Sequence, residues 1–585
     1  MRKLYPYLKG SFGIFVFSIV IKALGAVTDI AIPSFMGRVI DEGIVRKDIN
    51  QIIFLCVMML IFTVMTVAFN LSANKISSKA TQRMGENLRN SLYGHIQNLT
   101  VQDVDNWTPA TLVTRASNDV ERVQQAMLMM CRVAIRAPVM GIGGLVLSFF
   151  IDPKLTAVIF VGMLLVGVVS LCTYKMTRPI FRRVQKSIDT MTVVLRESIS
   201  GIKVIKSFNK GAHETKRFDV ESKKVRDSET SAGKINTVSG PTISLIVGIT
   251  IAAVLFYAVF RIRDSAVEIG QVVTIINYTN QILVAMSTMP RIFMMMSRAY
   301  ISANRINEIM DTTETTKYGD RERGIENNEI LSVENVSFKY QEGGGHTLHN
   351  VSFSIKRGQT VGVIGGTGAG KSTLLSLLLR LYEPQKGRIM LKGYPISEYS
   401  SEYLHKSITA ALQQYNIFAM TMRENITLDL AENKEDELEA AAETAQLKNV
   451  VDRMDGRFDY EIAQTGGNLS GGQKQRVNIA RTLFRNAELT ILDDVSSALD
   501  YKTDLKLRTA LKDYKSGNSF LLISQRVSSV READRILVLK DGRVKGFDTH
   551  ERLIRNCEAY REICKTQGID LDDEIAGGER EDYAG

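Results

Sequence analysis

The clearest chemistry in this 585-residue chain is in a glycine-rich run that ends in lysine and two hydroxyls. The run matches the pattern GxxxxGK(S/T) and directly follows an apolar β run that ends at Ile364. Glycines at this spacing let successive backbone N–H groups turn toward phosphate oxygens at a helix N-terminus, which favours anions. We expect Lys371 to reach the β- and γ-phosphates of a nucleotide and Ser372 to bind Mg²⁺. The predicted phosphate-binding residues are Gly365, Gly366, Thr367, Gly368, Ala369, Gly370, Lys371, Ser372 and Thr373.

A second apolar β run, residues 489–492, ends in two carboxylates, Asp493 and Asp494. In nucleotide-binding domains, a carboxylate at the C-terminal end of a strand beside the phosphate loop holds Mg²⁺. Apolar runs that end in aspartate are common, so this pattern alone is weak. Combined with the glycine-rich loop, it predicts Asp493 as a metal ligand.

These residues need a sheet and helices to position them. From Glu329 onward, short β runs alternate with helical stretches, which predicts an α/β domain with a largely parallel sheet. We place this nucleotide-binding domain at residues 329–567, after a polar linker at 311–328 and before an acidic tail at 568–585 that we expect to be disordered. The β runs are 331–340, 360–364, 489–492, 519–523 and 535–539.

The first 310 residues have a different character, which the mean hydropathy of −0.01 conceals. Runs with few or no charged residues reach the length of about 20 residues that a spanning helix needs. We therefore predict an α-helical membrane domain at residues 1–310, whose helices continue well into the cytoplasm. The six predicted spans are about 10–34, 49–74, 133–151, 155–174, 237–260 and 269–292.

Basic residues predict the orientation of these spans, because cytoplasmic connections carry an excess of Lys and Arg. The connection 175–234 contains fifteen of them, whereas the turns 152–154 and 261–268 contain one and two. The long connections are therefore predicted to be cytoplasmic, with both termini on the same side of a plasma (inner) membrane. This placement also accounts for much of the net charge of +10 without a nucleic-acid partner.

Between the glycine-rich loop and the Asp493–Asp494 pair lies the sequence Leu-Ser-Gly-Gly-Gln, residues 469–473. With this motif, the chain resembles an ATP-binding cassette (ABC) half-transporter of the exporter type over about residues 4–565. The resemblance implies an ATPase that uses ATP and Mg²⁺. It also implies that the signature residues contact the γ-phosphate of ATP held by a second half-transporter. These residues are Ser470, Gly471, Gly472 and Gln473.

The resemblance assigns further positions. Tyr340 matches the aromatic residue that stacks on adenine, and Gln413 matches the glutamine that contacts Mg²⁺ and couples to the membrane domain. The loop 497–500 matches the dimer-contacting loop. Segments 104–123 and 197–218 resemble the regions that carry the cytoplasmic coupling contacts.

Three positions depart from the family pattern. Asp494 stands where the family has the glutamate that deprotonates water, Gln525 stands where it has a histidine, and Gln464 replaces a second glutamate. These changes favour a degenerate subunit of a heterodimeric, multidrug-type exporter, whose intact signature serves the partner's site. The alternative is a homodimer with slow ATPase, in which Asp494 still acts as a base.

Polar groups within the spans suggest where a substrate binds. Lys22 and Asp29 are seven residues apart in the first predicted span, and ionisable residues within a membrane usually face a cavity. Asn277, Asn280 and Gln281 add polar groups in the sixth. Interhelical hydrogen bonding and packing is the alternative role for each. A drug-like or lipid-like amphiphile suits such a cavity, and a peptide substrate stays open.

Two other functional classes are compatible with parts of this pattern. An ATP-gated regulatory or channel-like subunit would need the same cassette, and a soluble nucleic-acid-acting ATPase would lack the six predicted spans. Five scattered cysteines without a CxxC pair indicate neither a metal site nor a disulfide scaffold.

Overall fold

The computed structural model describes residues 12–313, 316–326, 328–340, 347–428, 434–497, 499–514 and 517–569. The chain divides into two compact units. The first comprises the described residues as far as Asn98 together with Trp107–Thr313. The second comprises Leu99–Asn106 and the described residues that follow Thr313. Nearly all of the predicted acidic tail lies outside the described residues, as does Ala498 of the predicted dimer-contacting loop.

The first unit is built of helices. The short helix α3 lies between α2 and α4 in the chain but belongs to the second unit. In order the helices are α1 (Phe12–Arg38), α2 (Ile49–Asn98), α3 (Val101–Val104), α4 (Pro109–Thr114), α5 (Val120–Met129), α6 (Arg136–Ile151), α7 (Pro153–Ser200), α8 (Ile202–Ser207), α9 (Gly211–Arg263) and α10 (Ile269–Met310). π-Helical turns at Val39–Ile44, Arg115–Asp119 and Met130–Ala134 adjoin α1, α5 and α6. A bilayer requires only about 20 residues of helix, so α2, α7 and α9 extend beyond it.

Five helical stretches of the described chain are long and apolar enough to cross a membrane. They are Phe12–Ile44, Ile49–Asn98, Pro109–Ile151, Pro153–Ser200 and Gly240–Arg263. The sixth predicted span lies in α10, whose Asn277, Asn280 and Gln281 make it too polar to be recognised by length and composition alone. The sixth span therefore stays a prediction.

Close backbone contact joins the C-terminal end of α1 and the N-terminal end of α10. A Cβ atom on Gly270 would lie 2.0 Å from the carbonyl oxygen of Gly37, so only glycine fits there. The Gly270 N–H donates to Asp41 Oδ1 at 2.6 Å, and the buried Tyr278 hydroxyl donates to the Ile30 carbonyl at 3.1 Å. These contacts hold α10 against α1.

The second unit contains two sheets. The strands are β1 (Glu329–Phe338), β2 (Leu348–Lys356), β3 (Thr360–Ile364), β4 (Lys386–Leu391), β5 (Tyr394–Pro395), β6 (Ile408–Ala411), β7 (Leu489–Asp493), β8 (Ser519–Ser524), β9 (Arg535–Lys540) and β10 (Arg543–Asp548). The six-stranded sheet has the order β10-β9-β3-β8-β7-β6 and is parallel except for the β9–β10 pair. The four-stranded sheet has the order β2-β1-β4-β5 and is antiparallel.

Helices cover these sheets. They are α11 (Lys371–Leu378), α12 (Ser401–Ser407), α13 (Met422–Thr427), α14 (Glu435–Thr444), α15 (Lys448–Val451), α16 (Gly471–Phe484), α17 (Tyr501–Asp513), α18 (Val527–Val530), α19 (His550–Asn556) and α20 (Glu558–Thr566). The predicted fold class, a helical membrane domain followed by an α/β nucleotide-binding domain, is confirmed. The prediction of one largely parallel sheet missed the antiparallel sheet. In this sheet β1 pairs with β2 and β4, and β4 pairs with β5, and a local apolar pattern does not show which strands pair or in which direction.

Candidate nucleotide site

The glycine-rich loop connects β3 to α11 and adopts backbone conformations that favour glycine. Gly368 and Gly370 have φ angles of +81° and +100°. A Cβ on Gly370 would also lie 2.6 Å from Leu348 Cδ2, so an L-residue is excluded by both conformation and contact. The loop thus places backbone N–H groups at the start of α11, as phosphate binding requires.

Lys371 is folded back onto this loop. Its ammonium donates to the carbonyl oxygens of Gly365 at 2.7 Å and Gly366 at 2.9 Å. Burial lowers the pKa of Lys371, while the carboxylates of Asp493 and Asp494 act in the opposite direction. The ammonium is therefore held by two carbonyl groups of the loop itself, at the place where phosphate oxygens would become its partners.

Asp493 ends β7 and is 5% exposed. Burial, together with the neighbouring carboxylate of Asp494, raises the pKa of Asp493 to about 6, against the opposing effects of the Gln413 backbone N–H and of Lys371. A buried carboxylate beside a hydroxyl, Ser372, matches the oxygen ligands that Mg²⁺ prefers. These residues fit a nucleotide-bound Mg²⁺.

Asp494 lies directly after Asp493, with a left-handed backbone (φ +47°) held by its N–H bond to the Ile523 carbonyl at 2.8 Å. Gln413 Nε2 lies 3.5 Å from Asp494 Oδ2. On the other wall, the Thr367 hydroxyl donates to Gln525 Oε1 at 3.4 Å. Asp494 and Gln525, the two residues predicted to depart from the family pattern here, therefore face the same space.

This space is a cavity of about 210 Å³. It is lined by Thr347, Thr367, Gly368, Ala369, Gly370, Lys371, Ser372, Thr373, Gln413, Asp493, Asp494 and Gln525. The structure thus brings together residues 367–373 of the predicted phosphate loop, both carboxylates, Gln413 and Gln525, whereas Gly365 and Gly366 do not line the cavity. Thr347 was not predicted, because it precedes β2 and belongs to no motif.

Tyr340 stands beside this cavity, 51% exposed, and its hydroxyl donates to Thr373 Oγ1 at 3.2 Å. Its ring packs edge-on against Tyr382, with centroids 5.3 Å apart. The Tyr382 hydroxyl in turn donates to the carboxylate of Asp105, in the segment that follows α3. Sequence reasoning missed Tyr382 because no motif includes it. Its nearness to Tyr340 comes from Phe338 of β1, against whose ring both tyrosines pack edge-on.

The signature residues form the N-terminus of α16. Ser470 is the N-cap: its hydroxyl accepts from the Gln473 N–H at 3.3 Å, and Gln473 Oε1 accepts from the Ser470 N–H at 2.7 Å. This capping box leaves the Ser470 side chain exposed. None of the residues 470–473 lines the nucleotide cavity described above.

Family models agree with this arrangement. The model of the ABC transporter transmembrane region matches residues 15–286, and the ABC transporter model matches residues 348–497. Together they cover parts of both units.

Curated relatives extend the match along the chain. The uncharacterized ABC transporter ATP-binding protein YfiB of Bacillus subtilis (strain 168) is 31% identical over 92% of this chain and 93% of its own length. The ATP-dependent lipid A-core flippase of Pectobacterium atrosepticum is 26% identical over 97% of both chains.

A solved structure supports the fold. The ATP-bound bacterial Atm1-family ABC exporter superposes with a TM-score of 0.81 at 21% identity, covering 95% of this chain and 99% of that one. The chain is therefore a member of the ABC transporter family, a multi-pass membrane ATPase in which an exporter-type membrane domain and an ATP-binding cassette share one polypeptide.

Proposed function

We propose that this chain is the low-turnover half of a heterodimeric exporter that moves amphiphilic or drug-like molecules across the plasma membrane. The observation that carries the proposal is Asp494, which faces the nucleotide cavity at the position of the family's catalytic glutamate. Bound MgATP would supply the phosphoryl group whose transfer to water drives the cycle.

The side-chain length of Asp494 limits what it can do. Aspartate is one methylene shorter than glutamate, so its oxygens fall about one bond length short of the attacking water. Misplacement by about 1 Å costs on the order of 10²-fold in rate. We infer that the site of this chain binds MgATP well and hydrolyses it slowly.

Gln525 strengthens this interpretation. It reaches the cavity near Thr367, and its backbone carbonyl accepts from Gln567 Nε2 at 2.7 Å, so the loop is held in place. An amide can donate a hydrogen bond to a phosphate oxygen but cannot become a cation as histidine does. The loop geometry is thus compatible with ATP binding, while Gln525 stabilises the negative charge that develops on the phosphate less than a histidine would.

The signature motif supports a partner chain. Its capping box is complete, yet it stands away from this chain's own cavity. In the head-to-tail pairing implied by the family, Ser470 and Gln473 contact ATP bound by a second half-transporter. A partner with a complete catalytic glutamate and histidine would then supply most of the turnover.

The ATPase activity of the purified full chain tests the pairing. We expect slow hydrolysis from the chain alone and much faster hydrolysis when it is co-purified with its partner half-transporter. Brisk hydrolysis by the chain alone would instead support the homodimer, because no partner chain with a different active site is then needed.

A transport assay distinguishes an ATP-driven pump from an ATP-gated channel-like subunit. In inside-out vesicles containing the complex, ATP should drive uphill accumulation of a fluorescent amphiphile, and replacement of the partner's catalytic glutamate by glutamine should abolish it. Downhill flux that requires ATP binding but produces no accumulation would identify a gated subunit instead. The lipid A-core flippase among the relatives favours a lipid-like amphiphile within this class.

A further inference from the structure

We propose that the membrane domain binds the anionic headgroup of an amphiphile in a cavity between α1, the start of α6 and α10, an inference that rests on the proposed export function. This basic chamber has a volume of about 480 Å³. Its lining consists of two arginines, one carboxylate, three uncharged polar residues and five apolar residues.

Arg132 carries a charge that no carboxylate neutralises among the described residues. One terminal nitrogen of its guanidinium donates to Ser78 Oγ at 2.6 Å and to the Asn74 carbonyl at 3.3 Å, both uncharged groups. Its buried Nε atom has no hydrogen-bond partner within the described structure. An unpaired cation in a membrane domain is costly, and such residues usually mark a ligand or its pathway.

Arg136 and Lys22 add to this excess. Arg136 contacts Asp29 at 2.5 Å, and its side chain remains 42% exposed. The ammonium of Lys22 is buried beside the chamber and donates to the amide oxygens of Asn70 at 2.7 Å and Asn74 at 3.4 Å. The three cations thus share one carboxylate, so one anionic group with two negative charges would balance the set.

The rest of the lining favours an amphiphile over a free anion. Val133, Ala137, Met140, Val284 and Ala285 supply apolar surface next to the arginines. A headgroup on the arginines would leave an acyl chain in contact with these residues, where burial of each methylene contributes about 0.8 kcal/mol.

A second cavity, which α10 also lines, contains further arginines. Its volume is about 750 Å³, and α10 contributes Arg298 and Arg305 to it, while Arg122 and Arg182 line it from elsewhere in the first unit. Arg122 and Arg305 lie 3.7 and 3.9 Å from buried Asp119, and Asp189 also lines the cavity. Four arginines against two carboxylates attract anions along α10 toward the basic chamber.

Binding of radiolabelled dodecyl phosphate to the full chain in neutral-lipid nanodiscs tests the proposal, with empty nanodiscs as background. Dodecyltrimethylammonium has the same tail and the opposite charge, and inorganic phosphate has the charge without the tail. We expect saturable binding that neither competitor displaces at equal concentration. Displacement by the cation, or by inorganic phosphate at equal concentration, would overturn the proposal.

Matched variants locate the site. Arg132→Gln should weaken dodecyl phosphate binding on the order of 10-fold, as expected for loss of a charge-assisted hydrogen bond. Arg136→Lys keeps the charge and should retain most of the binding. Lys154→Gln removes an exposed charge outside the chamber and should bind like the unmodified chain. Unchanged ATP binding by all three shows that the cassette is folded, and equal affinity of Arg132→Gln and the unmodified chain would contradict the proposal.

ATP-driven accumulation in inside-out vesicles distinguishes this inference from the proposed function. If dodecyl phosphate binds through Arg132 but is not accumulated, the chamber is an anion site and the export proposal fails. If only a neutral or cationic amphiphile is accumulated and Arg132→Gln has no effect, export stands and the anionic chamber is wrong.

Discussion

At the residue scale, two adjacent aspartates illustrate how environment separates chemical roles. Asp493 is buried at the end of β7, whereas Asp494 has a left-handed backbone and is partly exposed. We propose that the first holds Mg²⁺ and that the second lies where a base would deprotonate the attacking water. Their side chains are identical, so only position distinguishes them.

Lengthening Asp494 by one methylene should restore the family's base. We expect Asp494→Glu to raise the ATP turnover of this chain's own site by up to about 10²-fold, because the carboxylate then reaches the water. The measurement is single-turnover hydrolysis by the complex, with the partner's catalytic glutamate replaced by glutamine. Asp494→Asn should reduce turnover further, and no gain in Asp494→Glu would show that Gln525 limits the rate.

The raised pKa of Asp493 makes Mg²⁺ binding sensitive to pH. Mg²⁺ requires the ionised carboxylate, which loses its charge as the pH falls through about 6. We therefore expect the dependence of ATP binding on Mg²⁺ to weaken between pH 7.5 and pH 5.5, measured by titrating Mg²⁺ against a fluorescent ATP analogue. The Asp493→Asn variant should show a smaller pH dependence, since an amide does not titrate in this range and only the protonation of ATP itself then remains.

At the element scale, close approach of α1 and α10 depends on glycine. We expect Gly270→Ala to lower the thermal unfolding midpoint, because its Cβ would lie 2.0 Å from the Gly37 carbonyl and overpacking costs about 1–3 kcal/mol. Gly248→Ala in α9 is the matched control, since nothing lies within 4 Å of its Cβ. The control should be neutral or slightly stabilising. Equal midpoints for both variants would contradict the close contact.

Tyr382 contacts both Asp105, which follows α3, and Tyr340, the residue predicted to stack on adenine. We expect Tyr382→Phe to keep ATP affinity within about 2-fold, because the edge-on packing against Tyr340 remains. Tyr382→Ala should weaken ATP binding several-fold, since the Tyr340 ring loses that support. Titration with a fluorescent ATP analogue measures both. An equal loss in the two variants would assign the effect to the hydroxyl bond with Asp105 instead.

At the scale of the whole molecule, the distribution of Lys and Arg predicts which turns face outward. In a background without the five native cysteines, Ser265→Cys should react with an impermeant maleimide added to intact cells. Asn209→Cys, in the turn between α8 and α9, should react only after permeabilisation. Reversed labelling would overturn the predicted orientation, and labelling of both in intact cells would overturn the predicted topology.

The fold class and most of the nucleotide site could be predicted because their signals are local. The glycine-rich loop, the carboxylates after β7 and the signature at α16 are each contained in a few consecutive residues. The apolar runs predicted six spans through their length, of which five fall in helices of the described chain that are long and apolar enough to cross a membrane, and the one in α10 stays a prediction.

The sequence by itself therefore determined a helical membrane half and an α/β cassette with an ATP-binding loop, and it predicts that Asp494 stands where the family has a glutamate. Only the tertiary structure placed Asp29 against Arg136, 107 residues away, and Tyr382 against Asp105, 277 residues away. It also brought Arg132 beside Asn74 and, within the part of the chain that the structure describes, left its charge without a carboxylate. Local spacing contains no information on such pairs, because a pairing between distant residues depends on how whole helices and strands pack.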